Sequence, residues 1–141
     1  MAMDVYMYFN GNAREAIEFY AKVFNAKRNE IMTYGDLQPD PNVERSVDQK
    51  KLILNTNLII YGTNVMFSDV DPQSGSSPFV KGNSVSLVIN DDQKEEISKL
   101  FDQLKEGGKI EMPLQETFWS KWFGSVCDKF GNTWELNYSG Q

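Results

Sequence analysis

The sequence predicts an α+β fold made of two copies of a unit with the order βαβββ. Two amphipathic helical stripes lie far apart in the chain, and each directly follows a strand-like run. Three further strand-like runs follow each stripe, and a polar stretch rich in turn-forming residues separates the two sets. The predicted organisation is one domain with a first module at about residues 1–70, a linker at about 71–82 and a second module at about 83–141.

The first module begins with a predicted strand and helix. The run from Val5 to Phe9 is β-branched and aromatic, and it ends at the turn signal Asn10-Gly11-Asn12. Asn12 has the residue type of a helix N-cap, and the helix is expected to end near Asn25. The apolar residues after Asn12 have helical spacing and predict one buried face, formed by Ala13, Ala16, Ile17, Tyr20 and Phe24.

Three strands are predicted after this helix, at residues 27–34, 51–61 and 65–69. Residues 35–41 are expected to form a loop, and Gly62-Thr63-Asn64 is the expected hairpin turn between the last two strands. The stretch from Asp71 to Pro78 is polar, lacks periodicity and is rich in residues that break helices and strands. We therefore expect it to connect the two modules.

The second module repeats the order of the first. Residues 83–90 alternate as a strand does, Asp91 or Asp92 is the expected N-cap of the second helix, and Gly107-Gly108 supplies its C-cap. Three strands are expected near residues 109–117, 123–127 and 133–138. The buried face of the helix is predicted to consist of Ile97, Leu100, Phe101 and Leu104.

Charge and composition exclude several classes of function. Twenty acidic against fourteen basic side chains give a net charge of −6, so neither nucleic acid nor an anionic membrane surface is an expected partner. The N-terminus lacks the pattern of a signal peptide and no apolar run is long enough to span a bilayer, so a cytoplasmic location is expected. The sequence has no histidine, which removes Ser-His and Cys-His nucleophiles and zinc sites with imidazole ligands.

Two motifs carry a resemblance to a known family. The segment from Tyr8 to Tyr20 is similar to the opening of the PhnB-like proteins, a branch of the vicinal-oxygen-chelate superfamily that includes glyoxalase I, bleomycin-resistance proteins and extradiol dioxygenases. The segment from Phe118 to Trp134 resembles the closing motif of that branch. This resemblance implies a curved, mostly antiparallel sheet from the two modules that encloses a cleft, a small-molecule ligand for that cleft, and a homodimer.

The resemblance also locates four metal-binding positions. By the spacing of the family's motifs, they fall on Val5, Asn55, Ser84 or a neighbour, and Glu135. Only Glu135 keeps the type of a metal ligand. One carboxylate with an amide and a hydroxyl does not make a tight site for a divalent cation, so we expect no catalytic metal and no cofactor.

Glu135 is the predicted catalytic residue, and six other residues are the predicted ligand contacts. On an alternating strand, Glu135 points away from Trp134 and Leu136, so it faces the concave side if those two pack under the helices. There it could bind a cation or act as a base, or it could be a solvated or dimer-facing residue paired with a lysine. Aromatic side chains offer flat contact area to a ligand. The predicted ligand contacts are Trp119, Trp122, Phe67, Tyr6, Tyr8 and Asn55.

The sequence is compatible with three functions. The first is metal-independent binding of a small molecule, cationic or aromatic, in the cleft. The second is a lyase or isomerase that uses Glu135 as general base. The third is a structural or interaction role for a dimer whose cleft is vestigial.

Overall fold

The computed structural model describes residues 1–73 and 78–141. The chain divides into two compact units, Met1–Phe79 and Val80–Gln141. Residues 74–77, which belong to the predicted linker, lie outside the described residues. In the described part, no helix is long and apolar enough to cross a membrane.

The first unit has a four-stranded sheet with the strand order β1-β4-β3-β2. β1 runs parallel to β4, and β3 is antiparallel to both of its neighbours. The elements are β1 (Val5–Phe9), α1 (Ala13–Val23), β2 (Met32–Thr33), a 3-10 turn (Tyr34–Asp36), α2 (Val47–Lys51), β3 (Ile53–Ile60) and β4 (Thr63–Asp69).

One face of this sheet is covered by α1. The five residues predicted for the buried face of the helix are all buried, which confirms that face. The Tyr20 ring lies 6.0 Å from the ring of Phe67 on β4 and 6.3 Å from that of Phe24. Burial of these aromatic rings contributes to the apolar stabilisation of the unit.

The N-terminus of α1 is capped from a distant strand. Asn12 makes no capping hydrogen bond with its side chain. Instead, the buried Asp69 carboxylate accepts the N–H groups of Gly11 and Ala13, both at 3.0 Å through Oδ1, and that of Ile53 at 2.9 Å through Oδ2. The capping role predicted for the Asn12 side chain is therefore wrong, because a carboxylate at the end of β4 already holds these donors.

Two local predictions for the first unit are corrected, and one short helix was not predicted. The strand predicted at residues 27–34 is only Met32–Thr33, and a 3-10 turn follows it. The hairpin turn is Tyr61-Gly62, both with positive φ (49° and 82°), so β4 already begins at Thr63. The helix α2 was not predicted, although Ser46 and Gln49 form a capping box in which Ser46 Oγ accepts the Gln49 N–H at 3.1 Å.

The second unit repeats the topology of the first. Its sheet has the order β5-β8-β7-β6, with β5 parallel to β8 and the other pairs antiparallel. The predicted buried face of its helix is confirmed, since all four residues are buried. The helix N-cap is Gln93 rather than Asp91 or Asp92, but Asp91 Oδ1 accepts the Gln93 N–H. The elements are β5 (Ser86–Asp91), α3 (Lys94–Leu104), β6 (Lys109–Gln115), β7 (Phe123–Cys127) and β8 (Thr133–Tyr138).

The shared strand order confirms the predicted α+β class and the repeated βαβββ order. In each unit the first and last strands pair in parallel, and the helix between the first two strands packs on one face of the sheet. The side chains that alternate with the core residues project from the other face. These two faces carry three of the six predicted ligand contacts, and also Glu135.

Candidate functional site

The sheet face of the first unit that lies opposite α1 carries polar and aromatic side chains. We call it the tyrosine face and define it by Tyr6, Tyr8, Asn55, Asn57 and Asn64. Period-two alternation separates these residues from core residues such as Met7, Leu58 and Val65 on the same strands. Three of the residues predicted from the sequence as ligand contacts, Tyr6, Tyr8 and Asn55, are thus on one surface.

Tyr6 and Tyr8 form a stacked pair at the sheet edge. Their ring centroids are 4.7 Å apart and their planes differ by 14°. Tyr6 is 37% exposed and Tyr8 is 53% exposed, while Met7 and Phe9 between and after them are buried under α1. The pair therefore presents aromatic surface away from the core, where a flat molecule could stack on it.

Asn55 fixes the position of the Tyr6 hydroxyl. Its Nδ2 donates to the Tyr6 oxygen at 3.0 Å. Asn55 is on β3 and Tyr6 on β1, with β4 between these two strands, so the Tyr6 side chain lies across β4. This hydrogen bond restricts the rotation of the ring and the hydroxyl.

A chain of amide hydrogen bonds crosses the same face. Asn29 Nδ2 donates to Asn57 Oδ1 at 3.1 Å, Asn57 Nδ2 to Asn64 Oδ1 at 2.8 Å, and Asn64 Nδ2 to the Asp4 carboxylate at 3.0 Å. Every amide in the chain points the same way, toward the carboxylate. Linked hydrogen bonds of this kind polarise one another and hold the polar half of the face rigid.

The corresponding face of the second unit lies opposite α3. We call it the glutamate face and define it by Val88, Phe123, Ser125, Glu135 and Asn137. Glu135 pairs in register with Val88 on one side and Ser125 on the other, while its neighbours Trp134 and Leu136 are buried. Asn137 Nδ2 donates to Asn90 Oδ1 at 2.8 Å beside it. Glu135 is half-buried on this face and projects away from the helix.

The two predicted tryptophan contacts lie in different surroundings. Trp119 is 53% exposed, and its ring meets that of Phe123 edge-on at 5.5 Å. It borders an open groove of about 430 Å³ that is lined by residues 116–121 and 137–140. Trp122 instead contacts α3, where its Nε1 donates to Ser98 Oγ at 3.0 Å and the Lys94 ammonium lies 4.3 Å from its ring.

Phe67 does not belong to either face. It is fully buried in the core of the first unit, between the rings of Phe9 and Tyr20. A ligand could reach Phe67 only if the packing between α1 and the sheet opened, so its place among the expected ligand contacts is corrected. Alternation along β4 indicated this position, because Val65 and Phe67 alternate with the polar residues Asn64 and Ser68.

The first unit contains a cluster of polar and charged side chains around Tyr34 that was not predicted from the sequence. The buried Tyr34 hydroxyl donates to the Asp69 carbonyl at 2.8 Å, and the Arg45 guanidinium lies 5.2 Å from the Tyr34 ring and 2.8 Å from the Asp71 carboxylate. Burial raises the pKa of Tyr34, and the nearby carboxylates of Asp71 and Asp69 raise it further, although a hydrogen bond with Ser68 opposes them. These contacts connect the loop before α2 with the end of β4.

The cysteine is not suited to nucleophilic chemistry. Burial raises the pKa of the Cys127 thiol, and the carboxylates of Glu111 and Asp128 raise it further. A raised thiol pKa lowers the thiolate fraction at neutral pH, and only the thiolate is a strong nucleophile.

The residues at the four metal positions do not fit a divalent cation. Val5 offers no donor atom, Asn55 uses its amide nitrogen for Tyr6, and Ser84 is an exposed residue outside the strands. Among the described residues, no group of three acidic, cysteine or histidine side chains could hold a metal ion. Because Glu135 is the one anionic donor at these positions, we derive no chemical step that uses a metal.

Comparison with known proteins places this chain in a family. A relative with 34% identity, protein YjdN of Escherichia coli (strain K12), is matched over 97% of this chain and 95% of its own length. The crystal structure of protein PA1353 from Pseudomonas aeruginosa has a TM-score of 0.82 at 34% identity, covering 97% of this chain and 96% of that one. A Bacillus cereus protein described as a putative 3-demethylubiquinone-9 3-methyltransferase, PhnB protein, has a TM-score of 0.78 at 26% identity and covers 97% and 98% of the two chains.

More distant structures share the fold alone. The fosfomycin resistance protein FosX from Listeria monocytogenes has a TM-score of 0.65 at 11% identity, over 99% of this chain and 92% of that one. These likenesses define the class, a protein with the vicinal-oxygen-chelate fold. Within that class the chain belongs to the PhnB-like family described as 3-demethylubiquinone-9 3-methyltransferase, whose profile matches residues 2–137.

The residues present do not fit the dinucleotide-type site that a methyl donor occupies in doubly wound folds. Such a site has a glycine-rich turn whose free N–H groups face the cofactor. Here the turn between β1 and α1 has the single glycine Gly11, whose N–H donates to Asp69, and the turn between β5 and α3 has none. We therefore derive no methyl-transfer step for this chain.

Proposed function

We propose that this protein binds a small planar molecule, aromatic or cationic, on the tyrosine face without the help of a metal. The observation that carries the proposal is the stacked Tyr6–Tyr8 pair, whose aromatic surface is exposed and whose orientation is fixed by the hydrogen bond from Asn55. An exposed and pre-ordered aromatic pair binds flat molecules at low entropic cost, because its side chains lose little further freedom on binding.

The charge of the protein supports a neutral or cationic ligand over an anionic one. The net charge of −6 repels anions at long range, and the amide chain of the tyrosine face ends on the Asp4 carboxylate. Asn55 is a further proposed contact on the tyrosine face. In the second unit, Glu135 is a separate proposed contact for a cationic molecule, and Trp119 is a proposed aromatic contact. Trp122 is a less accessible proposed contact than Trp119, because its ring already contacts Lys94 and Ser98.

Thermal unfolding tests this proposal with defined probes. Quinoline, 1-naphthol and N-methylquinolinium are each added in EDTA, and Mg²⁺, Mn²⁺, Ni²⁺ and Zn²⁺ are added in separate experiments. We expect at least one organic probe to raise the unfolding midpoint in EDTA, because a ligand that binds the native state stabilises it. A saturable shift with a metal that Glu135→Gln abolishes, and no shift with any organic probe, would contradict the proposal.

Matched variants locate the binding surface in the same experiment. Tyr8→Leu removes half of the aromatic pair and should reduce the probe-induced shift. The control is Tyr61→Leu, which removes a tyrosine of similar exposure, 63%, from the hairpin turn. Its side chain contacts Phe24 on the side of α1, so its loss should leave the probe-induced shift intact. Equal losses in the two variants would argue against the tyrosine face.

The homodimer implied by the family resemblance is a separate proposal. The tyrosine face carries exposed apolar surface beyond the tyrosines, including Met32 and Ile59. Sedimentation velocity of the parent and of Ile59→Lys tests whether a second copy covers this surface. A dimer that dissociates in Ile59→Lys would assign the face to assembly, whereas an unchanged assembly state leaves the face open to a ligand.

A further inference from the structure

The chain between β2 and β3 leaves the first sheet and returns to it at paired residues. Thr33 pairs with Ile53, and next to this pair the Tyr34 N–H donates to the Leu52 carbonyl at 3.0 Å. We call residues 35–51, which include α2, the cover. The structure describes all of these residues, and none of them is buried. The cover is therefore anchored at its base by backbone hydrogen bonds and contributes little to the core.

An ion pair holds the cover against the sheet. The Arg45 guanidinium lies 5.2 Å from the centre of the Tyr34 ring and donates to the Asp71 carboxylate at 2.8 Å. The Arg45 and Asp71 side chains are only 15% and 21% exposed, so solvent screens this pair less than a surface pair. Asp71 follows β4 and does not belong to the cover. The pair thus joins the cover to a part of the chain that the sheet fixes.

Tyr34, which lies under Arg45, borders the tyrosine face. The Tyr34 hydroxyl donates to the Asp69 carbonyl at 2.8 Å, and the Ser68 hydroxyl donates to the same oxygen at 3.0 Å, so the two hydroxyls are neighbours. Ser68 pairs in register with Tyr8. The Tyr34 ring is buried, and its hydrogen bonds to Asp69 and Leu52 do not depend on the cover. Removal of Arg45 from this ring would therefore expose a third, already ordered tyrosine near Tyr8.

From these contacts we infer that the cover is a lid which opens as one unit when the Arg45–Asp71 pair breaks, and which exposes the Tyr34 ring beside the tyrosine face. Segments with few buried residues open at a lower free energy than the core does, and here the ion pair is the contact that opposes opening. The opening itself does not depend on a ligand. Its role in regulating the ligand site rests on the proposed function, because the exposed Tyr34 ring would extend the surface available to a planar molecule.

Hydrogen exchange of the ligand-free protein, followed by NMR, tests the opening. Arg45→Met keeps an apolar side chain of similar length over Tyr34 but cannot pair with Asp71. We expect the amides of Val43 and Lys50, which donate to carbonyls within the cover, to exchange about tenfold faster in this variant, as the loss of a hydrogen bond between charged groups implies. The Phe24 amide at the end of α1 should exchange at the same rate in the parent and the variant.

Arg28→Met is the matched control, because it makes the same substitution in an exposed pair with Glu18 whose side chains are 54% and 53% exposed. It should leave exchange in the cover unchanged. Asp71→Asn removes the charge from the other partner and should accelerate the same amides as Arg45→Met, and it decides the question if Arg45→Met does not fold. Unchanged exchange in the cover, or an equal acceleration at Phe24, would overturn the inference.

A quinoline titration of the parent and Arg45→Met, in EDTA, separates the lid from the proposed function. We expect quinoline to shift the amides of Tyr6 and Tyr8 in both proteins and that of Tyr34 more strongly in Arg45→Met. If quinoline binds the tyrosine face and exchange in the cover is unchanged, the inference is wrong and the proposed function stands. If exchange accelerates and quinoline binds neither protein, the lid stands and the proposed function is wrong, together with the regulatory role. If exchange accelerates and the Tyr34 shifts are equal, the regulatory role alone is wrong.

Discussion

At the level of single residues, three of the predicted ligand contacts lie on one surface, and a fourth lies in the core. Tyr6, Tyr8 and Asn55 were expected to contact a ligand, and they lie together, with a hydrogen bond between two of them. Phe67 was expected beside them and is instead a core residue. Residue type alone could not separate these cases, because an aromatic side chain suits both a core and a binding surface. Alternation along each strand separates them.

The residues of the Tyr34 cluster could not be found from the sequence. Tyr34 donates a hydrogen bond to the carbonyl of Asp69, which is 35 positions away in the chain. Arg45 donates a hydrogen bond to the carboxylate of Asp71, which is 26 positions away. No local pattern encodes these pairs. They form only when the sheet brings the end of β4 next to the loop before α2.

The raised pKa of Tyr34 predicts a loss of stability at alkaline pH. In the unfolded chain a tyrosine ionises near pH 10, whereas buried Tyr34 keeps its proton to higher pH. Above pH 10 the unfolded state therefore binds fewer protons than the folded state, so the free energy of unfolding falls as pH rises, by at most about 1.4 kcal/mol per pH unit for this group. Urea unfolding between pH 8 and 11 should show a shallower fall in Tyr34→Phe than in the parent.

The exposed tyrosine Tyr8 provides the control for this pH dependence. Tyr8→Phe should follow the parent, since the Tyr8 ring is largely exposed. Parallel pH dependences of the parent and Tyr34→Phe would show that burial of Tyr34 does not affect stability in this range.

At the level of elements, the long amphipathic helices and the alternating strands were predictable. The short helix α2 and the capping of α1 by a residue distant in sequence were not. The buried faces of α1 and α3 follow from helical spacing, and the last two strands were predicted to the residue. By contrast, the N-terminus of α1 depends on Asp69, 56 positions from Ala13, which no local capping rule can identify. The capping box of α2 was visible in the sequence as Ser46 and Gln49, but the helix has five residues and none of them is buried.

The cap of α1 by Asp69 predicts a large loss of stability in Asp69→Ala. The carboxylate satisfies three N–H groups, and Asp69 is almost completely buried. Hydrogen bonds to a charged group contribute about 1.5–3 kcal/mol each and buried donors without a partner are costly, so we expect a loss of about 3 kcal/mol or more in urea unfolding.

Asp102→Ala is the matched control for this variant. Asp102 is exposed on α3 and pairs with Lys105 at 2.9 Å, and such surface pairs contribute less than about 1 kcal/mol. An Asp69→Ala protein that fails to fold, beside a folded Asp102→Ala, would support the capping role of Asp69. An Asp69→Ala protein as stable as Asp102→Ala would refute the capping role.

At the level of the whole molecule, the repeat was the most predictable property. Both units have the same strand order and the same parallel pairing of first and last strands, as the repeated order of strands and helices in the sequence indicated. The family followed from the motifs at the two ends of the chain, and the match over residues 2–137 confirms it. Function was less predictable, because one fold supports many chemistries and the ligand is determined by a few side chains.

An NMR titration of isotope-labelled protein with quinoline in EDTA, followed through the backbone amides, tests whether the tyrosine face binds a planar ligand without metal. We predict saturable shifts that centre on β1 and β3, at Tyr6, Tyr8 and Asn55, with smaller changes at Met66 of β4, which pairs with Tyr6. The same shifts should persist after extensive dialysis against chelator. Shifts that centre away from the tyrosine face, or that require an added metal ion, would contradict the claim that this face binds a planar ligand without metal.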